Sequence, residues 1–244
     1  MNLHYELHRT LWKAADLLYP PVCAGCGKPN YRFCPACLQS VYIIQYPFCA
    51  FCGKTTIENQ PVCADCGDIP VHFTAAAAWA AYGGSLREAI HALKYKNDMG
   101  LGDYFASYLV EILSGKNWHF DLIIPVPLSA QRKKERTYNQ SALLSRPIAR
   151  YLQLEHSVSA LKRTKDTGTQ VKRNRADRNL SLKDAFSGNP AKLKGRSVLL
   201  VDDIITTGAT INHCSEALLQ AGAVRVYAVS LAKTFRDVVD RDNN

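Results

Sequence analysis

The run Ser197-Val-Leu-Leu-Val-Asp202-Asp203-Ile-Ile-Thr206-Thr207-Gly208-Ala209-Thr210 sets carboxylates, hydroxyls and a glycine where an apolar strand gives way to a helix. Backbone N–H groups of such a loop, with the helix N-terminus behind it, form a ready anion site. Thr206, Thr207 and Thr210 add hydroxyl donors for phosphate oxygens, and Gly208 permits close backbone approach. Asp202 and Asp203 can accept hydrogen bonds from the vicinal hydroxyls of a ribose. They sit past the apolar part of the strand, where open α/β sheets bind ligands.

A second chemistry lies upstream. Eight of the nine cysteines form four CxxC pairs: Cys23/Cys26, Cys34/Cys37, Cys49/Cys52 and Cys63/Cys66. Eight thiolates suffice for two tetrahedral four-cysteine zinc sites, and two-residue spacing lets both sulfurs of a pair face one ion. Gly27, Gly53 and Gly67 each follow a pair, where the chain must turn. So short a cysteine-rich segment with few large aliphatics buries little core, and metal ligation would supply the missing stability. Disulfides are the alternative, disfavoured because no secretory signal accompanies the cysteines. Sequential grouping (23/26/34/37, then 49/52/63/66) is favoured over interleaving. The expected metal is one or two structural zinc ions, since four sulfurs leave no position open for water. Lone Cys214 follows His213, but adjacent helical residues face different ways, which favours a buried core cysteine over a nucleophile pair.

The formal net charge of +9 is concentrated. Residues 131–136 carry four basic side chains against Glu135, a net +3, and residues 162–183 carry eight against Asp166 and Asp177, a net +6. The remainder therefore balances to zero, and the two segments suit a polyanion, either a phosphorylated small molecule or nucleic acid. Solvated surface loops are the plainer reading of the same charges. No apolar run is long enough to span a bilayer, so no membrane insertion is expected. Met1–Tyr19 has Leu3, Leu7, Leu11, Ala15 and Leu18 at helical spacing before Pro20-Pro21. Its charged residues and lack of a cationic start argue against a signal peptide.

The elements that must position this chemistry alternate between strand and helix. Thr74–Tyr82 reads as a strand, Gly83-Gly84 as a turn, and Ser85–Lys96 as a helix with Ser85 as N-cap and Glu88 completing a capping box. Leu122–Val126 is a short apolar strand, followed by the first basic stretch and a helix near Gln140–Leu152. Residues 162–184 read as a long polar loop, of a length that is commonly functional. Ser197–Val201 is a strand, Ile211–Ala221 a helix, Val224–Leu231 a strand, and Asp237–Asn244 a frayed tail. Apolar strands alternating with helices predict a parallel sheet covered on both faces. The domains expected are an N-terminal helix at 1–22, a double zinc-ribbon module at 23–70, an α/β domain at 73–234 and a tail at 235–244.

Val198–Thr210 resembles the signature of type I phosphoribosyltransferases, which bind phosphoribosyl pyrophosphate (PRPP) with Mg2+. The tandem CxxC pairs, Ile124-Pro-Val-Pro127, Arg136-Thr-Tyr-Asn-Gln140, the basic loop and this signature together resemble the ComF family of competence proteins. That resemblance implies an α/β fold with a parallel sheet of the type I phosphoribosyltransferase kind, preceded by a small four-cysteine zinc-ribbon module. It implies that Asp202 and Asp203 hold the ribose diol and serve as the catalytic pair, and that Ile205, Thr206, Thr207, Gly208, Ala209 and Thr210 wrap the 5′-phosphate. Val126 would lie at the pyrophosphate loop. Arg136 would belong to the PRPP site, and Lys165, Arg163 or Arg175 would approach the pyrophosphate from a hood that also carries Gln170 and Asn179. The family tends to have Gly where this chain has Thr137. Two functions follow as expectations. One is a PRPP-binding protein that handles incoming single-stranded DNA in the cytoplasm during natural transformation, with a helicase-like competence partner. The other is an active phosphoribosyltransferase with an unidentified nitrogen acceptor.

Overall fold

The computed structural model describes residues 16, 19–44, 47–51, 56–57, 62–67, 70–96, 98–165, 182 and 184–235. Most of the expected amino-terminal helix, most of the expected tail, Cys52, and the hood residues Gln170, Arg175 and Asn179 lie outside them.

Strand β1 (Ala75–Ala81) is a run of alanines around Trp79. Helices α2 (Gly84–Tyr95) and α3 (Met99–Ser114) follow the short helix α1 (Pro35–Gln39) and β1 in the chain, and lead to β2 (Leu122–Pro125). Next come α4 (Ala130–Arg136), α5 (Gln140–Leu152) and β3 (Glu155–His156). A small antiparallel ribbon of β4 (Leu161–Arg163) and β5 (Phe186–Gly188) is succeeded by α6 (Pro190–Leu193). Strand β6 (Ser197–Ile205), helix α7 (Ala209–Gln220) and strand β7 (Arg225–Lys233) complete the order.

Five strands form one sheet, β1-β7-β6-β2-β3, with every pairing parallel. Consecutive residues of β6 point to opposite faces, and both faces are covered. Leu199 and Val201 join Leu144 of α5 and Leu109 of α3, whereas Val198 and Leu200 join Ile211 and Leu218 of α7. This double burial is why the strands are apolar throughout rather than alternating. The chain leaves β2 toward β3 but leaves β6 toward β7, so the connections diverge between these neighbours. The carboxyl ends of the strands at such a divergence are the place where sheets of this kind take ligands.

The outer edge of β1 is covered by the segment that follows α1. Ile44 N–H donates to the Trp79 carbonyl (3.1 Å) and Ala81 N–H to the Tyr42 carbonyl (2.9 Å), so the cysteine-rich segment caps an edge that would otherwise be open. Cys23, Cys34 and Cys37 belong to the same buried cluster as Trp79 and Phe105.

Several expectations need correction. Ser85 is not the N-cap: the helix begins at Gly84 with Gly83 before it. The Ser85 hydroxyl instead donates to the Cys37 carbonyl (3.0 Å), so the interaction with the cysteine module displaces the capping box. Residues 131–136 are not loop but helix, capped by the Ser129 hydroxyl accepting from Arg132 N–H. The expected loop at 162–184 begins inside strand β4, whose partner β5 starts just beyond it at Phe186. Strand β6 runs on through Ile205, because β7 extends beside it to Lys233.

Helix α4 ends at Thr137, whose φ of +61° is left-handed. A β-branched residue is strained there. Replacing Thr137 with Gly is expected to stabilise the fold by about 1 kcal/mol, less whatever the Thr137 hydroxyl's bond to the Arg136 carbonyl contributes. Urea unfolding of the two proteins measures the difference, and a less stable variant would show that the threonine is not strained.

Candidate functional site

Asp202 and Asp203 lie on β6 at this divergence, 8% and 5% exposed. Two carboxyls so close and so dry cannot both ionise without donors. Helix α5 supplies some of these from its first turn: Ser141 Oγ donates to Asp202 Oδ1 (2.9 Å), and Gln140 Nε2 reaches Asp203 Oδ1 at 3.4 Å. Asp203 N–H also donates to Asp202 Oδ1 (2.9 Å). The last turn of α2 supplies a cation, with Lys94 Nζ 2.7 Å from Asp203 Oδ2.

These contacts split the pair. Burial opposes ionisation of Asp203 most strongly, but the Lys94 charge together with hydrogen bonds from Lys94, Asp202 and Gln140 holds this carboxyl below the ordinary range. Asp202 is pushed well above that range, by burial first and then by the charge of Asp203. The two carboxyls are thereby driven apart, Asp203 toward its ionised form and Asp202 toward its protonated one.

Around this pair the Arg136–Gln140 element forms a support. Arg136 is buried, donates from Nη1 to Gln140 Oε1 (3.0 Å) and from Nη2 to Tyr95 Oη (3.3 Å), and stacks on the Tyr95 ring. Asn139 caps α5 by accepting from Ser141 N–H (3.0 Å) and donates to the Val126 carbonyl (2.9 Å). The Pro-Val-Pro segment is thereby tied to the helix that serves the carboxylates. Val126 N–H is spent on the Val201 carbonyl (2.9 Å).

Beyond Ile205 the loop turns sharply. Gly208 has φ +73° and precedes α7 as its N-cap residue. Thr206 is exposed and Thr207 and Thr210 are half-exposed, so the hydroxyls border solvent at the helix N-terminus. Asp202, Asp203 and the 205–210 loop are thus continuous, with Arg136 joined to them through Gln140. Arg163 lies over the Phe186 ring, and Lys165 is 3.9 Å from Asp184 at the base of the basic segment. Cys214 is fully buried, and burial pushes its thiol up.

The cysteines converge as well. The sulfurs of Cys23, Cys26, Cys34 and Cys37 lie within 4.8 Å of one another, and those of Cys49, Cys63 and Cys66 form a second group. Four sulfurs held tetrahedrally at about 2.3 Å from one zinc ion stand about 3.8 Å apart. Cys23 and Cys37 are 3.7 Å apart, as are Cys26 and Cys34. Burial disfavours the Cys23 thiolate, but backbone N–H groups of Cys34, Cys26 and Gly25 bring its pKa down to about 6. The donor set fits a closed, structural zinc site.

Sequence reasoning missed Lys94, Gln140 and Ser141 as members of the site. Gln140 stands in the Asn-Gln element, but Lys94 looks like any basic residue ending a helix.

The parallel sheet, the buried carboxylates and the Thr/Gly loop at its strand ends define an α/β domain of the phosphoribosyltransferase type, joined to a zinc ribbon. Residues 14–67 match the model of the double zinc ribbon domain, and residues 139–243 that of the phosphoribosyl transferase domain. Competence protein F of Haemophilus influenzae is 31% identical over 219 residues, covering 87% of this chain and 90% of that one. The DNA utilization protein YhgH of Escherichia coli K12 is 29% identical over 227 residues (89% and 99%). Competence protein ComFC of Bacillus subtilis is 28% identical over 222 residues (86% and 84%). The chain belongs to the ComF family.

Removing the lysine that neutralises Asp203 should leave a buried charge without its cation. Lys94→Met is expected to destabilise the protein by about 3 kcal/mol near neutral pH, and Asp203→Asn in the same chain to restore most of it. Because the folded-state pKa of Asp203 is depressed, its stabilisation is present above the unfolded value and lost as pH falls through the folded one. The gap between wild type and Lys94→Met in denaturant titrations should therefore close on acidification. A gap independent of pH would contradict the pairing.

Proposed function

We propose that this chain binds PRPP, carried with magnesium, at Asp202, Asp203 and the 205–210 loop, and that it acts on incoming single-stranded DNA in the cytoplasm during DNA uptake. The observation that carries the reading is the continuity of a buried carboxyl pair with a left-handed Gly208 N-cap at the carboxyl end of β6. The carboxylates suit a ribose diol, and the helix N-terminus and threonines suit a 5′-phosphate. Carboxylate and pyrophosphate oxygens form a hard donor set that fits Mg2+. Residues 23–70 serve as the ribbon module and 73–234 as the phosphoribosyl-binding part in this reading.

The DNA role is supported by the names of the relatives and by the charge distribution. Arg132, Lys133 and Lys134 are exposed on α4, immediately after the β2 loop. Among the described residues no helix is long and apolar enough to cross a membrane. The reading keeps a helicase-like protein as its competence partner.

A second reading, transfer of phosphoribose to a nitrogen nucleophile, is favoured by the ionised Asp203. A fixed negative charge beside the ribose would stabilise the cationic anomeric centre. In that step the bond from C1 to the pyrophosphate oxygen breaks with its electron pair leaving on oxygen. The nitrogen lone pair forms the new C1–N bond and the nitrogen releases a proton.

Calorimetry with Mg-PRPP tests the reading. Wild type should bind, and Asp202→Ala/Asp203→Ala should weaken binding by at least about tenfold, roughly 1.4 kcal/mol. Single-stranded DNA affinity should fall steeply on a log–log plot against salt. If one site's occupancy alters the other's affinity, the factor must be the same in both directions. Absence of binding heat in wild type would defeat the PRPP reading, and a flat salt slope would defeat the DNA reading.

A further inference from the structure

Lys233 ends strand β7 fully buried, an expensive place for an ammonium group unless its donors are met. Nζ donates to three backbone carbonyls: Thr206 (2.5 Å), Thr234 (2.9 Å) and Phe51 (3.2 Å). An ammonium has three N–H donors, so these carbonyls match its capacity. The first belongs to the 205–210 loop, and the last stands two residues after Cys49 of the second cysteine group.

The contact has a directional consequence. In a trans peptide the C=O and the following N–H point opposite ways. Drawing the Thr206 carbonyl inward onto Lys233 therefore turns the Thr207 N–H outward, toward the half-exposed face of the loop. Two further contacts join the same loop to the cysteine-rich side. A Cβ on Gly208 would stand 2.7 Å from the Phe51 ring and 3.0 Å from the Ala50 carbonyl, so these residues wall the loop. Asn212, in the first turn of α7, accepts from His72 N–H and donates to the Pro70 carbonyl, both at 2.8 Å.

We infer that Lys233 is a positioning residue for the phosphate loop, and that metal at the Cys49/Cys63/Cys66 group sets that loop's geometry through Phe51 and Lys233. The inference rests on the PRPP reading for its ligand, but the loop geometry itself is independent of it. The second zinc centre is then a wall of the binding site, and its loss should weaken phosphate binding even though none of its cysteines touches the ligand. The first group, buried with Trp79 and Phe105, has no such link to the loop among the described contacts and serves the core.

The test uses the full chain and three variants: Lys233→Met, which keeps the length and removes the donors, Cys63→Ala, which opens the second centre, and their combination. Hydrogen exchange without ligand should show the Asn212 and Thr234 amides, which donate to the Gly208 and Ile205 carbonyls of the loop (2.9 and 3.1 Å), exchanging about tenfold faster in each single variant, with the first cysteine group still holding zinc by metal analysis. Mg-PRPP affinity should fall about tenfold in each single variant, and the double variant should lose little more, because both act through one contact chain. Should Lys233→Met fail to fold, Phe51→Ala, which clears the wall over Gly208, carries the same expectations. Unchanged exchange at both Asn212 and Thr234, or a double variant whose loss is the product of the single ones, would overturn the inference. If wild type binds no PRPP yet the exchange result holds, the ligand assignment falls and the positioning role stands.

Discussion

Two carboxyl groups on consecutive residues at a buried strand end impose the constraint on which the site is organised. Desolvation and mutual repulsion both oppose their ionisation, so the surrounding fold must supply donors and a cation from other elements. The first turn of α5 provides Ser141 and Gln140, and the last turn of α2 provides Lys94. Those helices pack in one core cluster with Leu199 and Val201 of β6, and the Asn139 and Arg136 contacts keep the turn between α4 and α5 in place. Fold and electrostatics answer one requirement. The outcome is an asymmetric pair, with Asp203 ionised and Asp202 raised, suited to hydroxyl groups that both donate and accept.

The zinc ribbon is part of this construction rather than an appendage. Its first cysteine group shares the core beneath α2 and α3, and the segment after it closes the β1 edge. Its second group approaches the other side of the sheet, where Phe51 packs by Phe73 and lies over Gly208. A segment too small to fold on its own core thus takes stability from metal and from the sheet together. In return it shields an open edge and backs a loop that, in a bare α/β domain, would face solvent.

Much of this was legible in the sequence where the signal is local. An apolar strand followed by acidic, threonine and glycine residues announces the site because backbone geometry and side-chain chemistry occur within one short run. The CxxC pairs announce metal for the same reason. Partners brought from afar were not legible: Lys94 and Lys233 meet carbonyls and carboxylates that only the tertiary fold brings near. Ser85 had the spacing of a helix cap, yet its hydroxyl serves Cys37. Helix α3 drew no expectation because Gly100, Gly102 and apolar residues around most of its surface blur the stripe that marks an amphipathic helix. Gly102 is itself explained only by packing, since a Cβ there would lie 2.7 Å from the Leu143 carbonyl of α5.

The most direct test of the central claim is where PRPP protects the chain. Hydrogen exchange of the full-length protein, with and without Mg-PRPP, resolves this peptide by peptide. The account predicts slowed exchange at residues 202–210, with a smaller effect at the first turn of α5. Ligand binding that leaves 202–210 unprotected, or protects only the cysteine-rich segment, would contradict it.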